Sequence, residues 1–513
     1  MESSNRVILN SGFLYANMVV TMLVQLVSVR ILYEAFGIND YAIYSLVGSL
    51  IAMFAFINVA MSAATQRFLS YAIGEGREEN IRELFYQSVV LHLIIGGIVL
   101  LALEAGGVYY VQHLMRAPAE SIYGATILLH CITASTFVNI ITVPYEADIN
   151  ANENMGAIAA INILDSIMKL AVAFGVLHTS HNRLVVFGLL TMTCLIITLL
   201  LKRFYCLAKY PESHIRWHKI NDFTQMRNLT SFAVWNLIGS GCSIARYQGT
   251  GMIINRFFIL ATNTAYGIAQ QVNGLLLFFA NTIVRAIRPQ VVKSEGSGDR
   301  KRMLRLSETT CRITSLMVAL PAIPLGICIP HILRLWLGKE AGVDCVMFCR
   351  SFLVIVFINQ LTIGLQIAIE SVGKIRLLQC TVGVLHLVPL FLGWWCFYLG
   401  WPVESIMLCT IGEEIVALFA RITIAHHLTG LEATTFLKHT IIPCLLAVPF
   451  VTLSTWYILS VTEFTGFLHC LLSFCITIPL LAVISYTMIL SPQEKGAINK
   501  FMLLIANKAS LTR

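Results

Sequence analysis

ILNSGFLYANMVVTMLVQLVSVRILY, from Ile8 to Tyr33, carries one formal charge, Arg30, in an otherwise uncharged run. A helix rises about 1.5 Å per residue, so this run crosses a hydrocarbon core of roughly 30 Å with length to spare. It is too long for the apolar region of a signal peptide, and no small-residue cleavage site follows it. It is therefore read as a retained membrane helix. Comparable runs recur as far as Leu490. Composition agrees, with 57% hydrophobic and 12% charged residues against roughly 25% charged in soluble domains. An all-α integral membrane protein is expected.

Apolar runs bounded by charges, Gly or Pro place about fourteen helices. The first six fall near 8–35, 41–72, 84–112, 121–147, 154–178 and 182–206. The rest fall near 229–257, 262–290, 305–336, 342–371, 376–399, 403–428, 437–460 and 465–490. Lys and Arg set the orientation. With the N-terminus inside, the inner segments hold about 22 of them, including Arg77, Arg82, Lys202, Arg216, Lys219, Lys293, Arg300, Arg305, Arg421, Lys500, Lys508 and Arg513. The outer ends hold about six: Arg30, Arg116, Arg183, Arg256, Arg334 and Lys339. Both termini are thus expected in the cytoplasm of a bacterial cell, with the chain crossing the inner membrane many times. The net charge of +8 is mostly this bias and implies no nucleic-acid partner.

The chain also resembles itself. Tyr41-Ala42-Ile43 opens a helix that is followed by Gly74-Glu75-Gly76-Arg77; Tyr266-Gly267-Ile268 opens another, followed by Gly296-Ser297-Gly298-Asp299-Arg300. The offset, close to 225 residues, is six helices, so both copies share one orientation. Two six-helix lobes related by an axis along the membrane normal are expected, with two further C-terminal helices. The corresponding boundaries are 1–207, a cytoplasmic linker 208–228, 229–430, 431–490 and a tail 491–513.

The fourteen cysteines are scattered singly with no CxxC pair and read as small apolar fillers. Cys345 and Cys349 lie one helical turn apart, but no other ligand gathers near them in sequence, and neither a metal nor another cofactor is expected. No GxxxxGK[ST] loop is present, so ATP hydrolysis is not expected. Outer connections are short, and no acidic pair or Ser/His/Asp set converges on them, which speaks against a membrane glycosyltransferase or polymerase.

Asn10, Tyr15 and Asn17, then Gly37-Ile38-Asn39-Asp40-Tyr41-Ala42-Ile43-Tyr44-Ser45-Leu46-Val47, then Ala64-Thr65-Gln66-Arg67-Phe68, resemble the bacterial polysaccharide exporters. These are the O-antigen and capsule repeat-unit flippases of the multidrug/oligosaccharidyl-lipid/polysaccharide (MOP) transporter superfamily. The resemblance is sharpest over the first 90 residues. It implies a MATE-like, V-shaped pair of lobes around a cavity that opens alternately to either side. The implied cargo is an undecaprenyl-pyrophosphate-linked oligosaccharide; the implied partners are membrane lipids, other polysaccharide-assembly proteins and an ion gradient. The multidrug branch of the superfamily shares this architecture, and no single residue rules it out.

Charges inside hydrocarbon are costly and mark candidate sites. For an anionic pyrophosphate, the two-pronged guanidinium makes Arg246, Arg30, Arg67, Arg285, Arg312 and Arg350 candidate cavity residues. Arg246, flanked by Gly239, Gly241, Gly249 and Gly251, either faces cargo or is neutralised by a carboxylate on a neighbouring helix. Arg67 and Arg285 either receive pyrophosphate or reach the interface, and Arg288 is expected to reach the interface. Asp165 and Lys169, four apart on one helix face, are a charge pair or a switch. Glu413 and Glu414 point about 100° apart on a helix, so one of them is expected to find an interhelical partner. Asn17, Asn58, Asn236, Gln271 and Asn281 are candidate sugar contacts, or polar glue between helices.

Overall fold

Gly37 breaks the first long helix, at φ 66° and ψ −173°, a backbone conformation that side-chain-bearing residues avoid. The break divides the Ile8–Tyr33 span from the helix that Tyr41 opens. In the computed structural model, residues 3–52, 55–115, 119–215, 222–337, 342–461, 466–492 and 494–496 are described. Arg116, Arg216, Lys219, Lys339, Lys500, Lys508 and Arg513, and with them most of the expected tail, lie outside the described residues.

The helices are α1 Ser3–Ala52, α2 Ala55–Glu75, α3 Glu78–Tyr109, α4 Ala119–Ala151, α5 Met155–His178, α6 Arg183–Lys209, α7 Thr224–Phe257 and α8 Leu260–Gly296. They continue as α9 Arg300–Leu337, α10 Val343–Gln360, α11 Ile363–Val372, α12 Ile375–Leu378, α13 Val388–Tyr398, α14 Glu404–Thr429, α15 Ala433–Phe436, α16 Ile442–Ser460 and α17 Phe467–Ile484. No strand occurs among the described residues. Lipid offers no hydrogen bonds, so a spanning backbone satisfies its own groups as helix. Eleven of these segments are long and apolar enough to cross a membrane. The three other expected spans, the one that ends in α2 and those at α7 and α14, are more polar or interrupted. They carry Arg67, Arg246 and the Glu413, Glu414, Arg421 set.

The chain forms two units: Met1–Ser240 with Val292–Asp299, and Gly241–Val291 with Arg300–Arg513. In the first, Ile31, Ala35, Ile43 and Val47 of α1 pack with Leu128 and Leu129 of α4, Val172 and Val176 of α5 and Leu184 of α6. In the second, Ile254, Tyr266, Phe348, Phe352, Ile406 and Met407 form a comparable core from α7, α8, α10 and α14. Leu101 and Phe391 are among many large apolar side chains turned outward, as a lipid solvent requires.

Both repeated loops end their helices alike. Gly76 and Gly298 take left-handed φ values of 72° and 78°, the ordinary glycine termination of a helix. Two residues earlier, Gly74 lies against Lys293, where an added Cβ would sit 2.3 Å from the carbonyl oxygen; Gly296 lies against Tyr71 with the same 2.3 Å. All four residues belong to the first unit. The contact is reciprocal, at an offset of 222 residues.

Candidate functional site

Two spans of the second unit break in mid-course. Between α10 and α11 the chain turns at Leu361 and Thr362, whose amides bond back three residues to Ile358 and Asn359. Between α12 and α13 it turns at His386 and Leu387, where Pro389 at the start of α13 supplies no amide donor. Gly364, just after the first turn, lies so close to α9 that an added Cβ would meet the Ser307 carbonyl oxygen at 2.0 Å. Breaks of this kind free polar groups inside a membrane protein and are tolerated only where other polar groups meet them.

Side chains at both breaks join an ionic cluster. On α7, Arg246 Nη1 donates to Glu413 Oε2 at 2.6 Å and to Glu414 Oε2 at 3.3 Å. On α14, Arg421 Nη1 donates to Glu414 Oε1 at 2.9 Å and to Thr362 Oγ1 at 3.2 Å. Asn359 Nδ2 donates to the same Glu414 oxygen at 2.9 Å. His386 Nδ1 lies 3.0 Å from Glu413 Oε1. The Arg246 guanidinium also sits 5.0 Å from the centre of the Tyr247 ring. Arg246, Glu413, Glu414 and Arg421 are at most 5% exposed, and His386 is 12% exposed. Two guanidinium groups balance two carboxylates, and each keeps a buried Nε–H with no acceptor among the described residues.

His386, Glu413 and Glu414 bring one ligand atom each within 4.8 Å of one another, a grouping that could hold a metal ion. Both carboxylates are already engaged by arginines, so a divalent cation would face two guanidinium groups across the same oxygens.

Several expectations are corrected by this geometry. Both glutamates, not one, have interhelical partners, because one Arg246 amino group lies between them. Arg421 does not belong with the cytoplasmic basic residues, being 2% exposed within this cluster. Lys202 is also buried, with Glu146 at 2.8 Å. Arg288, partly exposed, pairs with Glu370 at 2.8 Å. Of the glycines around Arg246, Gly249 makes close helix contact, against Leu390.

The other candidates are dispersed. Arg67 is buried among the rings of Phe68, Tyr71 and Phe232, at 4.6 to 5.6 Å from their centres. Asp165 and Lys169 pair at 2.7 Å, and Thr198 donates to the other Asp165 oxygen. Arg30, Arg285 and Arg350 are exposed. Asn17 and Asn58 are half-buried, Asn236 is buried, and Gln271 and Asn281 are exposed. No hydrogen bond joins these amides to the ionic cluster among the described residues. The members missed by sequence were His386, Asn359, Thr362 and Arg421. The signal for Arg421 was its seven-residue spacing from Glu414, two turns along one face of α14.

Arg312 holds a different segment. Its Nη2 donates to Glu494 Oε1 at 2.8 Å and its Nη1 to Thr440 Oγ1 at 3.0 Å. Burial raises the Glu494 carboxyl, and the Arg312 hydrogen bond and charge more than offset this, leaving it below the ordinary range. A carboxyl lowered on folding stabilises above its unfolded value and ceases to as pH falls through the native one. Acidification through the lowered native value is therefore expected to free Ser491 and Glu494 from α9. A fluorophore on Ser491→Cys in a cysteine-depleted background should lose anisotropy there, and Glu494→Gln should lose it already at neutral pH. Unchanged anisotropy in both cases would remove Glu494 as the anchor.

Comparisons place this architecture. The MatE family model matches residues 14–175. The Bacillus subtilis uncharacterized membrane protein EpsK is 21% identical over 315 residues, 60% of this chain and 60% of that protein's length. A MATE crystal structure in the bent conformation aligns with a TM-score of 0.74 at 10% identity, covering 84% of this chain and 98% of the other. A MATE bound to MaL6 aligns with a TM-score of 0.72 at 11% identity, over 85% and 98%. A MOP superfamily transporter from Pyrococcus furiosus, described as having a binding pocket of reversed polarity, aligns with a TM-score of 0.69 at 11% identity, over 83% and 97%. The chain has the MATE fold.

Proposed function

We propose that this chain is a transporter that carries an undecaprenyl-pyrophosphate-linked oligosaccharide from the cytoplasmic to the periplasmic leaflet by alternating access, without hydrolysing nucleotide. The observation that carries a transport reading is the balanced ionic cluster at two helix breaks in a MATE fold. A merely structural core gains little from four buried charges, since well-packed apolar side chains would serve stability as well or better. A set of pairs that can exchange partners serves a protein with two states. The cargo class rests on the polysaccharide-exporter pattern between Asn10 and Phe68. The two arginines and two glutamates sum to zero charge, and His386 stands beside Glu413. His386 and Arg246 hold the two oxygens of that carboxylate between them.

Purified protein in vesicles should move a lipid-linked oligosaccharide in the absence of nucleotide. His386→Phe, which removes a partner of Glu413, should slow this transport. Strict dependence on ATP would defeat the proposal. A second reading, export of small molecules, is supported by the MATE structures and the MatE match. Transport of a cationic drug with none of the lipid-linked sugar would establish it instead.

A further inference from the structure

A cavity of about 850 Å³ lies within the second unit, walled by α9, α10 and α16 and reached by His469 of α17. Ile323, Leu353, Phe357, Leu445 and Trp456 make it apolar. It follows α16 from Leu445 to Ser460, roughly 22 Å of helix, more than one leaflet's half of the hydrocarbon core. That is the dimension of an acyl chain.

One end is different. Arg350 lines the cavity, is exposed, and donates from Nε to the Gly326 carbonyl at 3.0 Å. Among the described residues no acceptor meets its two terminal amino groups. The His331 ring near the end of α9 stacks on the His469 ring near the start of α17, with centres 5.5 Å apart. The end of α9 and the starts of α10 and α17 therefore share one side, opposite the basic Arg300–Arg305 end of α9. The Lys and Arg bias makes that side periplasmic. A guanidinium facing lipid without a counter-charge is costly, and a phosphodiester oxygen pair is the partner its fork fits.

We propose that this groove holds one anionic glycerophospholipid of the periplasmic leaflet, with its phosphate on Arg350 and one acyl chain along α16. A zwitterionic lipid brings the same phosphate with its own ammonium attached, and leaves the arginine's charge unbalanced. The occupant is a resident lipid distinct from cargo, so this site stands whichever transport reading holds.

Trp456 in the groove is the reporter. The full chain is placed in phosphatidylcholine nanodiscs with increasing brominated phosphatidylglycerol or brominated phosphatidylcholine, and quenching of Trp456 is taken as the difference between the protein and Trp456→Phe. Half-maximal quenching is expected at a several-fold lower mole fraction of the anionic lipid. Arg350→Gln should erase that preference and Arg350→Lys keep part of it. Ala322→Phe, which fills the groove, should weaken quenching by both lipids. Equal quenching by both lipids in the unaltered protein overturns the proposal, as does a preference that survives Arg350→Gln. Displacement of the brominated lipid by a polyprenyl pyrophosphate at lower mole fraction than by unbrominated phosphatidylglycerol also overturns it, assigning the groove to cargo.

Discussion

Arg246→Ala is expected to deplete the protein from the membrane, and adding Glu413→Gln to restore much of it. The alanine leaves Glu413 and Glu414 with Arg421 as the single guanidinium, a net negative charge among side chains at most 5% exposed. Removing one partner of a buried ion pair costs about 3–5 kcal/mol, a large share of the roughly 5–15 kcal/mol by which domains are stable. Neutralising Glu413 restores the balance. Neutralising Glu414 should do less, because Glu414 keeps Arg421 at 2.9 Å and Asn359 at 2.9 Å, whereas Glu413 would keep only His386. Arg246→Lys should fall between, since a point charge cannot bridge two carboxylates as a planar fork does. Immunoblots of membranes and thermal unfolding in detergent give the readout. Wild-type abundance of the alanine variant, with export lost, would return Arg246 to the role of a cargo contact.

Most helices were legible because lipid leaves the backbone so few choices; apolar length locates eleven of them among the described residues. Buried charge was legible in kind but only partly in partners. Arg246 with Glu413 or Glu414 was one of two open readings, since an arginine in mid-membrane must meet an anion somewhere. The rest depended on the helix breaks. Pro389 hints at the turn that carries His386, yet nothing in Asn359-Gln360-Leu361-Thr362 signals a break, because none of these residues forbids a helix. Without that turn, Thr362 has no reason to meet Arg421. Arg421 and Lys202 misled for another reason: both lie about two turns from a helix end, where charge ordinarily reaches water. The partner of Arg288 was not legible either, Glu370 being 82 residues away in sequence.

Gly74→Ala and Gly296→Ala should each destabilise the protein by similar amounts, and the double variant by little more than one of them. Either Cβ would stand 2.3 Å from a carbonyl oxygen of the opposite helix. Backbone cannot turn aside as a side chain does, so the helix ends must separate; overpacking of this sort costs about 1–3 kcal/mol. Once one alanine has parted them, the second meets open space. Independent sites would instead give costs that add. Thermal unfolding of the three variants decides between these outcomes, and additive losses would mean that the glycines serve separate contacts. Gly76 and Gly298 provide the control, because an added Cβ meets nothing within 4 Å at either. Their alanine variants strain only the left-handed turn, by about 1 kcal/mol each, and those losses should add. Two repeated glycine pairs two positions apart, one steric between the copies of the repeat and one conformational within each, then separate the packing of the repeat from its local folding. Coupling confined to the Gly74 and Gly296 pair is the pattern that a reciprocal contact between the two copies requires.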